Sequence, residues 1–110
     1  VGLVILNKDG VILNSNKKFL MITKYEEAVL IGKQLSTLIS IEDKPLFFSY
    51  LNKLVNLNNS DIISDAINVK LIIENSEFFI KVSGYCFNET LSEEKQIILS
   101  FTYIALIAFG

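Results

Sequence analysis

The run Leu3-Val4-Ile5-Leu6 is apolar at every position, a pattern that predicts a strand covered on both faces. Val11-Ile12-Leu13 follows as its return strand. The spacing then becomes helical, and Phe19, Leu20 and Ile22 turn an apolar side inward. Leu35, Leu38 and Ile39 make a short apolar turn. Phe47, Leu51 and Leu54 form one helical stripe, with Phe48 and Val55 beside it. The period then drops to two. Ile67, Val69, Leu71 and Ile73 alternate with Asn68 and Lys70, as in a half-buried strand. In the next strand Phe78, Ile80, Val82 and Gly84 point one way, and Phe79, Lys81, Ser83 and Tyr85 the other. Gln96 to Ile104 reads as the last strand.

The punctuation between these runs agrees with them. Asp9-Gly10 supplies the left-handed backbone that a tight hairpin needs. Asn16 can cap the first helix. Glu26 and Glu27 suit the first turn of the second, and Gly32 the position just past its end. Ser40 and Asp43 have capping-box spacing, and Pro45 sits in the first turn of the longest helix. Asn56 to Asp61 reads as the end of that helix. Glu74 to Glu77 is turn-like, and Asn88 to Lys95 is a charged loop.

One hundred and ten residues fit one domain, which is expected to span residues 1–104, with 105–110 the start of a linker or tail. Apolar residues make up 51% and charged residues 20%, a globular composition. The net charge is −2 and the lysines are scattered, which argues against a nucleic-acid surface. No apolar run reaches the roughly 18 residues of a membrane span, so no membrane contact by this segment is expected. The chain opens at Val1, already in a strand-like run, and is expected to be a piece of a longer protein. Cys86 is the single cysteine, so a disulfide framework is excluded and a reducing cytoplasm is the simplest setting.

The chain has no histidine. A histidine haem ligand, general base or phospho-acceptor is therefore excluded within it. Met21 and Cys86 are expected to pack in the interior rather than bind iron. The acidic pairs Glu26-Glu27, Glu42-Asp43 and Glu93-Glu94 are sequence neighbours, which do not converge on one point of a helix. They read as caps and solvated faces. No phosphate loop, metal-ligand cluster or nucleophile constellation is visible, so the segment is not expected to be an enzyme.

Five motifs, in order and at matching spacing, resemble those of a PAS domain over nearly the whole chain. Leu6-Asn7-Lys8-Asp9-Gly10 resembles the family's first strand and its D-G turn. Leu13-Asn14-Ser15-Asn16 resembles the strand that runs into an asparagine before a short helix. The segment from Thr23-Lys24-Tyr25 to Leu30-Ile31-Gly32-Lys33 has the length of the pattern T-G-Y-x-x-E-E-L-I-G-K, with Lys24 at its glycine. Ser40-Ile41-Glu42-Asp43 stands where the family has H-P-E-D. Phe79-Ile80-Lys81-Val82-Ser83-Gly84 resembles W-V-E-V-S-G. The last strand departs from the common D-I-T ending, because Ser100 to Ile104 offers no acid for the usual signal-exit contact.

The element order and this resemblance imply an α+β fold: a five-stranded antiparallel sheet with the helices from Asn16 to Leu57 on one face. The resemblance also implies a sensory or dimerisation module. One reading is the ligand-responsive sensor domain of a signalling protein, such as a sensor histidine kinase of a two-component system. The other is a ligand-free dimerisation or scaffold module in a transcription regulator or cyclic-dinucleotide enzyme. PAS relatives hold small ligands between the long helix and the sheet. That space falls here on Phe47, Leu51, Leu54, Val69, Leu71, Ile80 and Val82, for an unidentified small organic ligand. No haem and no flavin adduct are expected, since Cys86 lies at a strand end and not in the helical region, where photosensory relatives carry the adduct cysteine. A homodimer is expected through the outer sheet face, at Leu3, Ile5, Ile72, Phe79 and Ile98, alongside an output domain of the same polypeptide.

Overall fold

Asn7 closes the first hairpin with both its backbone and its side chain. Its N–H donates to the Val11 carbonyl and its carbonyl accepts from Gly10 N–H, each at 3.0 Å. Its Oδ1 accepts from the N–H groups of Asp9 (2.9 Å) and Val11 (3.0 Å). Gly10 takes the positive φ of +86° that such a turn requires. This hairpin joins β1 (Gly2–Asn7) to β2 (Ile12–Ser15).

The computed structural model describes residues 1–56, 65–88 and 94–108. After β2 come α1 (Lys17–Thr23), α2 (Glu27–Leu30), two 3₁₀ turns (Leu35–Leu38 and Ile41–Asp43) and α3 (Lys44–Val55). The strands β3 (Ile67–Ile73), β4 (Ser76–Asn88) and β5 (Lys95–Ala108) complete the order. β5 continues four residues past the expected end at Ile104. Residues 105–108 are thus part of the sheet and not a tail, with Ala108 opposite Glu77. Most of the expected polar helix end (57–61) and the centre of the charged loop (89–93) lie outside the described residues.

Local chemistry accounts for the helix boundaries. Asn16 caps α1 by accepting from Phe19 N–H at 2.9 Å. The same oxygen accepts from Leu3 N–H at 2.8 Å, so the cap also fastens the helix to β1. Lys24 ends α1 in the left-handed region, φ 62°, where the related motif has glycine. Gly32 follows α2 with φ +86°, and Pro45 lies in the first turn of α3, both as expected.

The five strands pair antiparallel in the order β2-β1-β5-β4-β3. The helical layer covers one face, and the inward residues Val4, Leu6, Ile97, Leu99, Phe101, Ile80, Val82, Val69 and Leu71 are fully buried beneath it. Phe19 of α1 meets Phe101 of β5 with ring centroids 5.0 Å apart. The outer half of β1 is not covered: Leu3 is 40% exposed and Ile5 half-buried, against the expectation of cover on both faces.

The segment from Gly32 to Asp43 reaches both edges of the sheet. At β2, Ile12 N–H donates to Lys33 O, Gly32 N–H to Ile12 O and Leu35 N–H to Gly10 O, all within 3.0 Å. At β3, Ile39 bridges Leu71 and Ser40 N–H donates to Lys70 O at 2.9 Å. These edge groups, which could otherwise recruit another strand, are satisfied within the chain.

Candidate functional site

Helix α3 presents Phe47, Leu51 and Leu54 at i, i+4 and i+7, and these reach the sheet as one stripe. They pack in the same buried cluster as Val69 and Leu71 of β3 and Ile80 and Val82 of β4. All seven residues expected to surround a ligand are thus brought together. Six are fully buried and Leu51 is 5% exposed. Phe48, beside the stripe, is 47% exposed, its ring tilted 59° to that of Phe47 with centroids 6.1 Å apart.

Polar groups at the margins fix the helix over this cluster. Strand β3 begins opposite Val82 and does not reach Gly84. Tyr50 of α3, buried in the cluster, supplies the missing acceptor: Gly84 N–H donates to its hydroxyl at 3.0 Å. Burial raises the Tyr50 pKa above the ordinary phenol value, while the Gly84 hydrogen bond works the other way. A side chain at Gly84 is impossible without displacement, since a Cβ there would lie 2.2 Å from the Ile98 carbonyl oxygen. At the far end of α3, Lys95 Nζ donates to the Val55 carbonyl at 2.6 Å, satisfying a helix-terminal acceptor.

At the near end, Ser40 and Asp43 do not form the expected reciprocal capping box. Asp43 Oδ2 accepts from the Ser40 hydroxyl (2.8 Å) and from Lys70 N–H of β3 (2.7 Å). Proximity to the sheet edge gives the carboxylate a long-range partner that outcompetes its local one. Lys70 Nζ also pairs with Glu42, which raises the lysine pKa.

Cys86 lies at the inward-facing end of β4, opposite Ile97, and packs partly buried against the core as expected. Burial raises its thiol pKa, with Lys95 opposing. Met21 is 68% exposed, contrary to the interior packing expected of it. It is two residues from buried Phe19 on α1, which turns it to the solvent side. Among the described residues no group of three or more His, Cys, Asp or Glu side chains is placed to hold a metal.

The outer sheet face divides the expected contact residues. Leu3, Ile5 and Ile98 lie together, with Ile5 and Ile98 directly opposite each other, and they line a shallow cavity of about 240 Å³ with Asn14, Ser15 and Asn16. Tyr85, paired with Ile98 and 59% exposed, extends this patch and was not among the residues the sequence singled out. Its outward parity in β4 was the available signal. Phe79 is also outward and 43% exposed, but it is six residues from Tyr85, about 20 Å along β4. Between them lie Ser83, hydrogen-bonded to Ser100 at 2.8 Å, and Lys81 opposite Thr102. Ile72 lines a different cavity, at the β3 edge, with residues of α2 and the first 3₁₀ turn. The single continuous patch expected from the sequence is therefore not formed.

No known protein-family profile matches the sequence, and no curated protein matches it. The fold does have close structural counterparts. The PAS-B domain of Drosophila melanogaster Cycle, with bound ethylene glycol, superposes with a TM-score of 0.78 at 10% identity, over 94% of this chain and 100% of that one. The PAS domain of an HTR-like protein from Haloarcula marismortui gives 0.70 at 16% identity, over 94% and 80%. That of nitrogen regulation protein NR(II) from Vibrio parahaemolyticus gives 0.68 at 13%, over 94% and 88%. An antiparallel sheet in the order β2-β1-β5-β4-β3, its helices on one face and α3 laid across β3 and β4, is shared with these domains at such coverage that the chain has the PAS fold.

Proposed function

We propose that this chain is a sensory or regulatory domain, without catalysis of its own, that governs chemistry carried out by another segment of its polypeptide. Its setting in this reading is the cytoplasm, and its parent is a sensor histidine kinase of a two-component system. The observation that supports this most is the likeness of fold to PAS domains over 94% of the chain, among them that of nitrogen regulation protein NR(II). The stimulus is a small organic ligand held between α3 and the sheet, against Phe47, Leu51, Leu54, Val69, Leu71, Ile80 and Val82. The PAS-B domain of Cycle, with its bound ethylene glycol, supports a small guest in a fold of this kind. Neither haem nor a flavin adduct takes part, because the chain has no histidine and Cys86 sits at a strand end.

A second reading has its own support. The seven residues are closely buried against one another, which favours a filled core. The apolar patch at Leu3, Ile5, Ile98 and Tyr85 favours a module that works by homodimerisation, in a transcription regulator or cyclic-dinucleotide enzyme. Thermal-shift screening of purified protein with small organic acids and apolar metabolites separates the two. Under the first reading at least one compound raises the melting temperature, and Leu51→Trp abolishes the rise by filling the space. No stabilisation by any compound, with a stable dimer, favours the second. A Soret band, or a flavin band that bleaches under blue light, would overturn the expectation about cofactors.

A further inference from the structure

A second cavity lies away from the α3 cluster, where the Gly32–Asp43 segment passes between the two sheet edges. It measures about 240 Å³ and is lined by Ile12, Tyr25, Val29, Leu30, Lys33, Gln34, Thr37, Leu38 and Ile72. Its walls come from opposite edges of the sheet, Ile12 of β2 and Ile72 of β3, with α2 and the first 3₁₀ turn between them. The volume is below that of drug-sized sites, so it suits a small guest.

The lining has a marked chemical bias. Leu30 and Leu38 give it a buried apolar floor, together with Ile12. Among the described residues Lys33 is the only charged one in the lining, and none is acidic. The Lys33 ammonium has no ion pair, and the Tyr25 hydroxyl no hydrogen bond, among the described residues. The other polar groups are already engaged: Gln34 Nε2 donates to Asp9 O at 2.9 Å and the Thr37 hydroxyl to Gln34 O at 2.8 Å. Backbone groups around the cavity bond to β2. Among the described residues, two uncommitted donors, one cationic, therefore stand at a hollow of mixed polar and apolar lining, with no acidic group beside them. Glu26 and Glu27 follow Tyr25 in sequence but do not line the hollow.

We infer that this cavity binds a small amphipathic monocarboxylate. The apolar part occupies the floor of Ile12, Leu30 and Leu38, and the carboxylate accepts from Lys33 and Tyr25. A single point charge suits one carboxylate better than a phosphoryl dianion, which needs several donors. A guest here touches both sheet edges through Ile12 and Ile72, at a site separate from the one proposed beneath α3.

Amide NMR titration of the whole chain with sodium benzoate is the test, with sodium chloride at equal ionic strength and benzyl alcohol as controls. Benzoate should give saturable shifts confined to Ile12, residues 25–38 and Ile72. Benzyl alcohol should bind about tenfold more weakly, as should benzoate to Lys33→Gln, the scale of one charge-assisted hydrogen bond. Lys33 is exposed, so that variant should keep the wild-type amide spectrum outside this region. Equal binding of benzyl alcohol, an unchanged affinity in Lys33→Gln, or the same shifts with chloride would overturn the inference. Shifts centred on Leu51, Leu54 and Ile80 would also overturn it while supporting the ligand site beneath α3. Benzoate binding that survives Leu51→Trp keeps the two sites distinct.

Discussion

The two faces of the sheet are built from the same strands and many of the same residue types, yet they do different work. On β4, Ile80 and Val82 are fully buried, whereas Phe79 and Tyr85 are 43% and 59% exposed. On β5, Phe101 meets Phe19 under the helices while Ile98 looks outward beside Ile5. The inner face is one continuous cluster, because α1, α2 and α3 together bring side chains down onto the strands beneath them. The outer face is interrupted by hydroxyls and Lys81, which leaves separate apolar islands. Apolar character alone therefore does not predict importance here. What covers a residue decides how much it stabilises the fold.

The widest contrast is between equal truncations on the two faces. Phe101→Ala should destabilise the domain by about 3–5 kcal/mol, the usual loss for a fully buried aromatic ring. Phe79→Ala should change the stability of the folded monomer by no more than about 0.5 kcal/mol. Urea denaturation of both variants measures the difference, and comparable losses would break the comparison.

A smaller effect probes how the inner face is fastened. Tyr50→Phe removes the acceptor of Gly84 N–H and should cost about 1–3 kcal/mol. The Tyr50 pKa is raised in the folded state, so the native protein holds this proton more tightly than the unfolded chain. Its contribution is full below the unfolded value of about 10 and declines as pH rises through the folded pKa. The alkaline fall in stability should therefore be shallower in Tyr50→Phe, measured by denaturation between neutral pH and the alkaline limit.

The outer face should respond in assembly and not in folding. If the homodimer forms through the Leu3, Ile5, Ile98 and Tyr85 island, Tyr85→Asp shifts it toward monomer in sedimentation with little change in melting temperature. Phe79→Asp, about 20 Å away along β4, should shift it less. The reverse ranking would place the contact at the other island. One change is expected to be a gain: Lys24→Gly relieves a left-handed non-glycine residue at the end of α1 and should stabilise by about 0.5–1 kcal/mol. Denaturant midpoints resolve it, and a loss would mean that the lysine side chain contributes where it stands.

The features legible in the sequence are those with a short period or a local partner. Alternation of two told inward Ile80 and Val82 from outward Phe79, and the i, i+4, i+7 stripe marked Phe47, Leu51 and Leu54. The Asp9-Gly10 turn, the Asn16 cap and Gly32 each act within a few residues of their own position. Less legible was anything that depends on a distant neighbour. Ser40 and Asp43 have the right spacing for a capping box, yet Asp43 bonds to Lys70 N–H, 27 residues away. Tyr50 was not singled out, because its partner Gly84 is 34 residues distant. Met21 looked like a core residue by type, but its angle on α1 turned it to solvent.

By itself the sequence determined the kinds of element, their order, the inward faces of β3 and β4 and the residues beneath α3. Backbone geometry imposes these at a range of a few residues, through strand parity, helical pitch and turn chemistry. Only the tertiary structure decided that β5 lies between β1 and β4 and runs on to Ala108, and that one segment ties both sheet edges. It alone parted Phe79 and Ile72 from the Leu3, Ile5 and Ile98 island. Which strands become neighbours, and in what register, is set by burying the whole core at once, and no local pattern carries that information.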